Sequence, residues 1–290
     1  MKNRYDFVYI FDCENCNPNG DPLTDNKPRI DPMSGHGIVS DSAIKRRIRD
    51  HIIKWKEQRH PFCIHLVPGT NRNDEMYKIL GEDPRNPKKE KKSNIDKLSG
   101  MLERFWDVRA FGAVLSTGPN MGQVTGPVQI GFSKSVDPIY ISDIQMAVCT
   151  SAGDNKAKDG SDKENRTFGM KYVVPYGLYV CKGTISTHQK TGFNENDLDV
   201  LWKSIMEMWD SNRTHSKMGM NSRMLVIFKH TGSSEDEEQN RTEARMGRCP
   251  SWKLFESVKI SKKCSKPLEY NDYEIKIDCD FPGIETAVVS

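Results

Sequence analysis

The alternation of apolar and polar positions divides this chain into short strand-like runs, two amphipathic helices and long polar connections. Residues 5–11 are rich in aromatic and β-branched side chains, which is typical of a buried strand. From residue 41 to about residue 58, after a capping Ser40 or Asp41, the apolar positions recur on one helical stripe: Ile44, Ile48, Ile52 and Trp55. The pattern predicts a strand followed by a helix that packs against a sheet.

A second helix and a second buried strand are predicted in the later half of the chain. Asn194 can cap a helix whose apolar positions recur at intervals of three and four: Leu198, Leu201, Trp202, Ile205, Met208 and Trp209. Residues 223–229 hold an apolar run between two basic residues, which indicates a buried strand. For residues 231–290 we expect an acidic loop followed by short β or irregular pieces.

Residues 61–107, between the first helix and the next β-rich region, are predicted to form an insertion. The pattern favours a short strand at residues 62–67, a helix near residues 74–80 and a helix through residues 98–106. A basic run lies between the two helices: Lys88, Lys89, Lys91 and Lys92. From residue 108 to residue 135 the character changes to β, with several glycines.

Two further β-like runs, residues 141–149 and 168–180, flank a small, polar stretch at residues 151–165 that cannot bury a core of its own. This arrangement predicts a projecting hairpin with a mobile tip. With the insertions set aside, the order is strand, helix, strand, strand, helix, strand. That order predicts an α+β, ferredoxin-like (split βαβ) fold, which RNA-recognition modules share and which hosts many unrelated functions.

Residues 12–37 form a long polar connection, stiffened by prolines, between the first strand and the first helix. A connection of this length without structure is unusual in a compact domain and is often a binding loop. The helix after it is basic, with seven Lys and Arg against three acidic residues between positions 40 and 59. Asn17, Asn19 and Gly20 can present amides and backbone N–H groups beside these cations. We therefore predict that the loop and the helix hold a nucleic-acid backbone.

Composition places few limits on the partner but excludes several classes of protein. A chain of 290 residues with 36% hydrophobic content can build one large domain, and its net charge of +3 does not by itself indicate nucleic acid. No apolar run approaches the roughly 18 residues that span a bilayer, so no membrane partner is expected. Walker A, G-x-S-x-G and HExxH patterns are absent, and no cofactor is predicted.

The cysteines favour the reducing cytoplasm and no metal. Eight cysteines, mostly scattered singly, do not form a disulfide framework. Cys13 and Cys16 have the spacing of half a zinc site, but no second C-x-x-C or paired His follows at metal-ligand spacing. We expect two thiols at the end of a strand.

Four carboxylates in the same stretch are a second candidate for metal binding: Asp12, Asp21, Asp25 and Asp31. Carboxylates can hold the cation of a phosphodiester-cleaving site, and His36 could assist as a base. Three of the four adjoin Pro or Asn, where Asp commonly caps its own backbone. Turn chemistry is therefore the preferred interpretation over catalysis.

Several collinear motifs resemble the backbone subunit of the type I-C CRISPR Cascade complex. They are NPNGDP (17–22), KPRIDP (27–32), GHGIVSD (35–41), KRRIR (45–49), DVRAFGAVLSTG (107–118), GQVTGPVQ (122–129), SVDPI (135–139) and VPYGLY (174–179). Together these motifs are specific, and the match runs from about residue 5 to about residue 230. The last sixty residues carry less of it.

The resemblance implies a domain organisation and a function. Members of this family have a ferredoxin-like palm, here residues 1–60 and 108–290, with a helical finger at residues 61–107 and a thumb hairpin at about residues 137–171. The chain would not be an enzyme. It would bind CRISPR RNA, assemble with neighbouring copies in a helical filament, contact other Cascade subunits and present the guide for pairing with target DNA in antiviral defence.

The RNA contacts that the resemblance implies fall on the polar loop, the basic helix and two later segments. The residues are Asn17, Asn19, Gly20, Lys45, Arg46, Arg49, Gln123, Thr125, Met170 and Lys171. A subunit that accepts any guide should contact phosphate, sugar and base faces and leave the pairing edges free.

Two other functions stay open at this point. Related backbone subunits of type III complexes cut target RNA with an Asp in the loop after the first strand, and Asp21, Asp25 or Asp31 would be its counterpart here. The other is a generic single-stranded RNA-binding protein, which would carry heterogeneous RNA and form no ordered filament.

Overall fold

A computed structural model describes residues 1–86, 94–148 and 167–290. The basic run at residues 88–92 and the polar stretch at residues 151–165 lie outside these ranges. Within them, no helix is both long and apolar enough to cross a membrane.

The described residues contain seven α-helices and fourteen strands. The helices are α1 (Asp41–Lys56), α2 (Arg72–Ile79), α3 (Asn94–Arg104), α4 (Trp106–Phe111), α5 (Glu195–Ser211), α6 (Glu237–Met246) and α7 (Ser251–Glu256). The strands are β1 (Tyr5–Cys16), β2 (Gly20–Asp21), β3 (Lys27–Pro28), β4 (His36–Val39), β5 (Gly112–Leu115), β6 (Gly122–Thr125), β7 (Val128–Ile130), β8 (Ser133–Pro138), β9 (Ser142–Val148), β10 (Thr167–Ile185), β11 (Met220–His230), β12 (Val258–Lys262), β13 (Tyr273–Ile277) and β14 (Ile284–Val289).

A large antiparallel sheet organises the fold, and β1 lies at its centre. The strand order is β14-β11-β1-β10-β8-β4, and β7 and β9 also pair with β10. Strand β1 pairs along its length with β10 on one side and with β11 on the other. The predicted first strand is confirmed, but it continues to Cys16 instead of ending at residue 11, so the polar connection is shorter than expected.

Both faces of β1 are buried, which explains its nearly continuous apolar sequence. Because side chains alternate along a strand, Phe7, Tyr9 and Phe11 pack into the layer that contains α1 and α5. Val8 and Ile10 pack on the opposite face, in the cluster that includes residues of α7 and of the β12–β13 hairpin. The last sixty residues therefore cover the second face of the sheet.

The two predicted amphipathic helices are confirmed. Helix α1 begins where Ser40 Oγ accepts a hydrogen bond from the Ala43 amide at 3.2 Å, and it ends before Glu57, whose φ of 52° leaves the helical region. Helix α5 begins with a capping box in which Asn194 and Asp197 exchange hydrogen bonds. Its Trp209 indole donates to the Tyr9 hydroxyl at 2.8 Å, which fixes the helix against β1.

Buried Asp12 joins three strands near the end of β1. Its carboxylate is fully buried and accepts hydrogen bonds from Arg223 Nε at 2.7 Å, Asn221 Nδ2 at 3.0 Å and Tyr176 Oη at 3.3 Å. These donors lie on β11 and β10. Charge-assisted hydrogen bonds replace the water that an ionised carboxylate loses on burial, so Asp12 is a structural acceptor and not a free metal ligand.

The insertion has its own buried cluster, which extends into the β5–β6 hairpin. The members of this cluster are Cys63, Met76, Leu80, Met101, Phe105, Val108, Leu115 and Met121. The predicted strand at residues 62–67 is wrong. The Asp107 carboxylate accepts the backbone N–H groups of His65 and Leu66, at 2.8 and 3.2 Å, so a side chain takes the donors that a strand ladder would need.

Two other predictions of local structure are wrong. Residues 108–111 belong to α4 and not to a strand, because five consecutive buried residues, 106–110, hide the periodicity of this short helix. The acidic stretch after residue 231 contains α6 instead of only a loop. Asp236 caps this helix, and Glu237 and Glu238 lie in its first turn, where acidic side chains favour the helix dipole.

Strands β9 and β10 pair as a long antiparallel hairpin. The register runs from Val148 opposite Thr167 to Ser142 opposite Val173. Strand β10 then continues into the main sheet beside β1. The hairpin is therefore an extension of a central strand.

A buried ion pair connects the insertion to α5. Arg109, 5% exposed, donates to both carboxylate oxygens of Asp197, at 2.8 and 3.1 Å. Its guanidinium also donates to the backbone carbonyls of Leu102 and Glu103, each at 2.9 Å, and of Pro61 at 2.9 Å. Every side of this cation is used inside the protein.

We expect Arg109→Met to lower the free energy of unfolding by about 3–5 kcal/mol, because the change leaves the Asp197 carboxylate buried without its cation. Denaturant titration followed by circular dichroism measures the effect. Arg241→Met removes an exposed i,i+4 pair with Glu237 and serves as the matched control, with an expected change within about 0.5 kcal/mol. Equal losses in the two variants would contradict this assignment.

Candidate nucleic-acid interface

The polar loop leaves the sheet at the end of β1 and is held closely to the protein at Asn17. The Asn17 side chain is 6% exposed, and its amide group donates to the Asn26 carbonyl at 2.7 Å. Its backbone N–H donates to the Ser216 carbonyl at 3.1 Å. Asn17 therefore shapes the loop from within.

Asn19 and Gly20 position the loop against the first turn of α1. Asn19 Oδ1 accepts the backbone N–H of Ser40 at 2.9 Å, and the Asn19 carbonyl accepts the N–H of Arg29 at 3.0 Å. A Cβ atom on Gly20 would lie 1.9 Å from Asn26 Oδ1, so only glycine fits this close approach. The structure thus brings the three predicted loop residues together with the start of the basic helix.

Lys217 holds the backbone of the same loop and was not predicted from the sequence. Its ammonium group donates to the carbonyls of Asn17 and Pro18, the latter at 2.5 Å. Burial, with a smaller contribution from the Arg47 guanidinium, lowers the pKa of Lys217 to about 8. A short 3₁₀ turn at His215–Lys217 carries this lysine, and its sequence offers no recognisable signal.

The predicted cations Lys45 and Arg46 lie on α1 in ion pairs within the helix. Lys45 Nζ is 2.9 Å from Asp41 and also faces the Phe111 ring, with 5.6 Å between Nζ and the ring centroid. Arg46 and Arg47 share the Asp50 carboxylate, at 2.8 and 3.3 Å. One carboxylate for two guanidinium groups leaves a net positive charge on this part of the helix.

Arg49 has a different position from the one expected of an RNA contact. It is 9% exposed, and its Nε donates to Asp107 at 2.9 Å. The Asp107 carboxylate is the same group that organises the backbone at residues 65–66. This geometry gives Arg49 a structural contact, which the helical pattern could not reveal because Asp107 is distant in sequence.

Gln123 and Thr125 lie on β6, in the two-stranded sheet that β5 and β6 form. Gln123 pairs with Val114 and Thr125 with Gly112, and both polar side chains are exposed. They belong to the hairpin of the insertion, and their part in RNA binding stays a prediction.

Met170 and Lys171 lie on β10 where the hairpin joins the body of the protein. The Met170 side chain is 53% exposed. Lys171 Nζ lies 2.6 Å from Nε2 of His215, the first residue of the turn that carries Lys217. The structure therefore brings the base of the hairpin close to the support of the polar loop.

A second contact between the loop and the hairpin involves Lys27 on β3. Its Nζ lies 4.6 Å from the centroid of the Tyr172 ring and 3.9 Å from an Asp143 carboxylate oxygen. Lys27 was part of a sequence motif, but its contact with an aromatic ring of the hairpin was not predicted. The loop contacts the first turn of α1 through Asn19 and contacts the hairpin through Lys27. We give the name basic surface to the basic groups of these neighbouring elements: Lys27, Lys45, Arg46, Lys171 and His215.

Asp31 and Asp21 have the turn geometry that the sequence favoured. Asp31 accepts hydrogen bonds from Ser34 Oγ at 2.6 Å and from the Met33 N–H at 3.0 Å, and these bonds lower the pKa of Asp31 to about 2. Asp21 caps a single 3₁₀ turn through the Leu23 N–H at 3.1 Å.

Asp25 ends the same turn in a left-handed conformation, with φ of 50°. His36 Nδ1 lies 2.8 Å from the Ser135 carbonyl, to which it donates. In the part of the chain that the structure describes, no three His, Cys, Asp or Glu side chains are grouped to hold a metal ion.

The family model described as CRISPR-associated protein Cas7 matches residues 3–278 of this chain. The chain belongs to the Cas7 family. A CRISPR-associated protein Cas7 from Haloferax volcanii is 26% identical over 263 residues, which cover 79% of this chain and 71% of that protein. The Cas7 match includes the polar loop, α1 and the β9–β10 hairpin.

Two solved structures were also found to be similar to this Cas7 protein. A chain of a CRISPR RNA-guided surveillance complex, pre-nicking, has a TM-score of 0.46 and 14% identity, over 86% of this chain and 84% of that chain. A chain of another CRISPR RNA-guided surveillance complex has a TM-score of 0.38 and 13% identity, over 80% and 70% of the two chains.

The lowered pKa of Lys217 predicts a specific pH dependence of stability. The unfolded chain keeps this amine protonated up to its ordinary pKa of 10.5, whereas the folded protein releases the proton near pH 8. Between these values the unfolded state binds more protons, so the contribution of Lys217 to folding stability rises with pH. In Lys217→Met this contribution is absent. Unfolding measured from pH 8 to 10.5 should show the wild type gaining stability relative to the variant, and parallel curves would contradict the burial of the ammonium group.

Proposed function

We propose that this Cas7 protein is a non-catalytic backbone subunit of a CRISPR RNA-guided surveillance complex and that its basic surface binds the RNA backbone. The observation that carries the proposal is the junction at residues 215–217. There the base of the β9–β10 hairpin meets the turn that supports the polar loop, through the contact of Lys171 with His215 and the hydrogen bonds of Lys217.

The electrostatics of this junction favour an anion. Lys171 and His215 are held with their nitrogen atoms 2.6 Å apart, and Lys217 follows two residues later. An ammonium group has three donors, so Lys171 can donate to His215 and also to a phosphate oxygen, which accepts charge-assisted hydrogen bonds. The basic surface also contains the net positive charge of α1, so one strand of RNA could contact several cations in succession.

The groups on this surface suit binding without sequence selection. Ammonium and guanidinium groups recognise phosphate, and Tyr172 and Met170 offer flat or apolar contacts to base faces. None of these contacts requires a particular base. Guide-directed systems leave sequence selection to base pairing with the target, and we propose that the bound CRISPR RNA pairs with target DNA in this way.

The sheet supports the proposal of a ferredoxin-like palm. Strands β11, β1 and β10, then β8 or β7, lie side by side and antiparallel, and α1 and α5 cover one face. This strand order and the two helices on one face support the proposed split βαβ unit. We propose residues 1–60 and 108–290 as the palm, including a thumb hairpin at about residues 137–171, and residues 61–107 as the finger. The buried cluster of the finger also packs against Leu115 and Met121 of the palm segment that carries the β5–β6 hairpin.

The type I-C subtype rests on the sequence motifs, above all NPNGDP and KPRIDP, which form the loop and β3. We propose that copies of the protein assemble in a helical filament along the guide in the cytoplasm and contact other Cascade subunits. A net charge of only +3 is compatible with such an assembly. Each copy needs to contact only a few phosphates, because the binding free energies of many copies along one RNA add up.

The ribonuclease alternative receives no support from the carboxylates. Asp31 is engaged by Ser34 and Met33, Asp21 caps a turn, and Asp25 occupies a left-handed turn position. A metal-dependent nuclease needs carboxylates free to coordinate a cation. Their turn roles therefore favour the non-catalytic proposal.

The double change Lys27→Ala, Lys171→Ala should weaken RNA binding by a similar factor for two unrelated single-stranded RNAs, because on this proposal both ammonium groups contact phosphate and not bases. The log–log slope of affinity against salt concentration should become shallower by about 0.7 for each phosphate that the variant no longer neutralises. Fluorescence anisotropy at several salt concentrations measures both effects. The control Lys259→Ala, Lys276→Ala removes the same charge from the β12–β13 hairpin and should leave the slope unchanged. Loss of binding for one sequence only would contradict backbone recognition.

Arg46 and Arg49 provide a second test on one helix. Arg46→Ala should reduce RNA affinity with little change in stability, because Asp50 keeps Arg47 as a partner. Arg49→Ala should lower the free energy of unfolding by about 3–5 kcal/mol, since Asp107 stays buried. The salt slope of RNA binding should change in the first variant alone. The reverse outcome would restore Arg49 as a direct RNA contact.

A further inference from the structure

The two cysteines at the end of β1 lie in direct contact. The Sγ atoms of Cys13 and Cys16 are 3.3 Å apart, and Cys13 Sγ also lies 3.3 Å from the Cys16 carbonyl oxygen. Residues three apart on a regular strand point to opposite faces. Here Asn15 has a left-handed φ of 47°, which turns the chain so that both thiols enter the same buried cluster.

The two thiols are chemically unequal. The hydrogen bond from Cys13 is the largest influence on Cys16 and lowers the Cys16 pKa, and the ammonium group of Lys217 acts in the same direction. Burial raises the pKa of Cys13 well above its ordinary value. Cys16 is therefore the better nucleophile, because the thiolate is the reactive form, and Cys13 is the thiol placed to react with an oxidised Cys16.

The pair is joined directly to the candidate RNA-binding loop. Cys16 is bonded to Asn17, and the Lys217 that favours the Cys16 thiolate also holds the carbonyls of Asn17 and Pro18. Covalent bonding would require the sulfur atoms to approach from 3.3 Å and would remove the thiolate that Lys217 faces. Both changes act on the backbone that positions Asn19 against Ser40.

We propose that Cys13 and Cys16 are a redox site, at which a hydroperoxide converts the dithiol to a disulfide, moves the loop at residues 17–20 and weakens RNA binding. The last of these consequences rests on the proposed function. The two thiols are in contact, Cys16 is influenced by the Lys217 ammonium group, and both precede the polar loop. A role limited to filling the core would require none of these features.

The chemistry balances with the peroxide as the only added reactant. The Cys16 thiolate attacks one oxygen of hydrogen peroxide, and the O–O bond breaks. The products are a sulfenic acid on Cys16 and a hydroxide ion. Cys13 sulfur then attacks the Cys16 sulfur, and the S–O bond breaks as the S–S bond forms. The hydroxide ion that leaves Cys16 takes up the Cys13 thiol proton. The hydroxide ion from the first step takes up the proton that Cys16 lost when it became a thiolate. Two thiols and one hydrogen peroxide thus give one disulfide and two water molecules.

The experiment uses the full chain with Cys264→Ser, which removes an exposed thiol that could link two copies. The reduced protein is treated with hydrogen peroxide, and the peptide that contains both cysteines is weighed by mass spectrometry. Hydrogen exchange is then followed at the Ser40 amide, whose acceptor is Asn19 Oδ1 at 2.9 Å. RNA affinity is measured before oxidation, after it, and after reduction with dithiothreitol. The control is the same protein with Cys16→Ser, which cannot form the bond.

We expect the peptide to lose two hydrogen atoms, the Ser40 amide to exchange faster, and RNA affinity to fall about tenfold and to recover on reduction. The recovery needs no variant, so a poorly folded Cys16→Ser protein does not weaken the test. Absence of the disulfide would overturn the redox site, and a disulfide that leaves both Ser40 exchange and RNA affinity unchanged would overturn its link to the loop. If the reduced protein binds no RNA, the proposed function fails, while the peptide mass and Ser40 exchange still decide whether this redox site exists.

Discussion

The buried carboxylate of Asp12 is the constraint on which the candidate interface depends. It lies on the central strand, one residue before Cys13, and takes donors from both neighbouring strands, β10 and β11. A charge without water is tolerated only where its partners are fixed, so the three strands must end in one arrangement. The polar loop starts at residue 17, directly after β1 ends at Cys16. The fixed ends of the three strands therefore determine where the loop starts and in which direction it leaves the sheet.

The interface divides its polar groups between two tasks. Asn17, Asn19 and Lys217 use their hydrogen bonds within the protein and shape the loop. Lys171 and His215 lie side by side at the surface, and both belong to the groups that we propose contact RNA. A site built in this way is organised before the ligand arrives, which reduces the entropy that binding would otherwise cost.

The sequence was informative where local patterns decide structure. The stripe of α1, the cap and stripe of α5, and the apolar run of β1 each follow from neighbours in the chain. The errors came from side chains that replace backbone partners over long distances. Asp107 suppresses a strand at residues 65–66 and also takes the Arg49 guanidinium, and neither contact has a signature at helical or strand spacing. Lys217 was missed for the same reason.

The hydrogen bond from Lys217 to the Asn17 carbonyl joins residues 200 positions apart. Contacts of this sequence separation form late, because the intervening chain must first be ordered. During synthesis the loop leaves the ribosome long before its support does. An unfinished or truncated chain would therefore have the polar loop without the geometry that makes it a site. The loop therefore acquires its supporting contacts only after residue 217 has been synthesised.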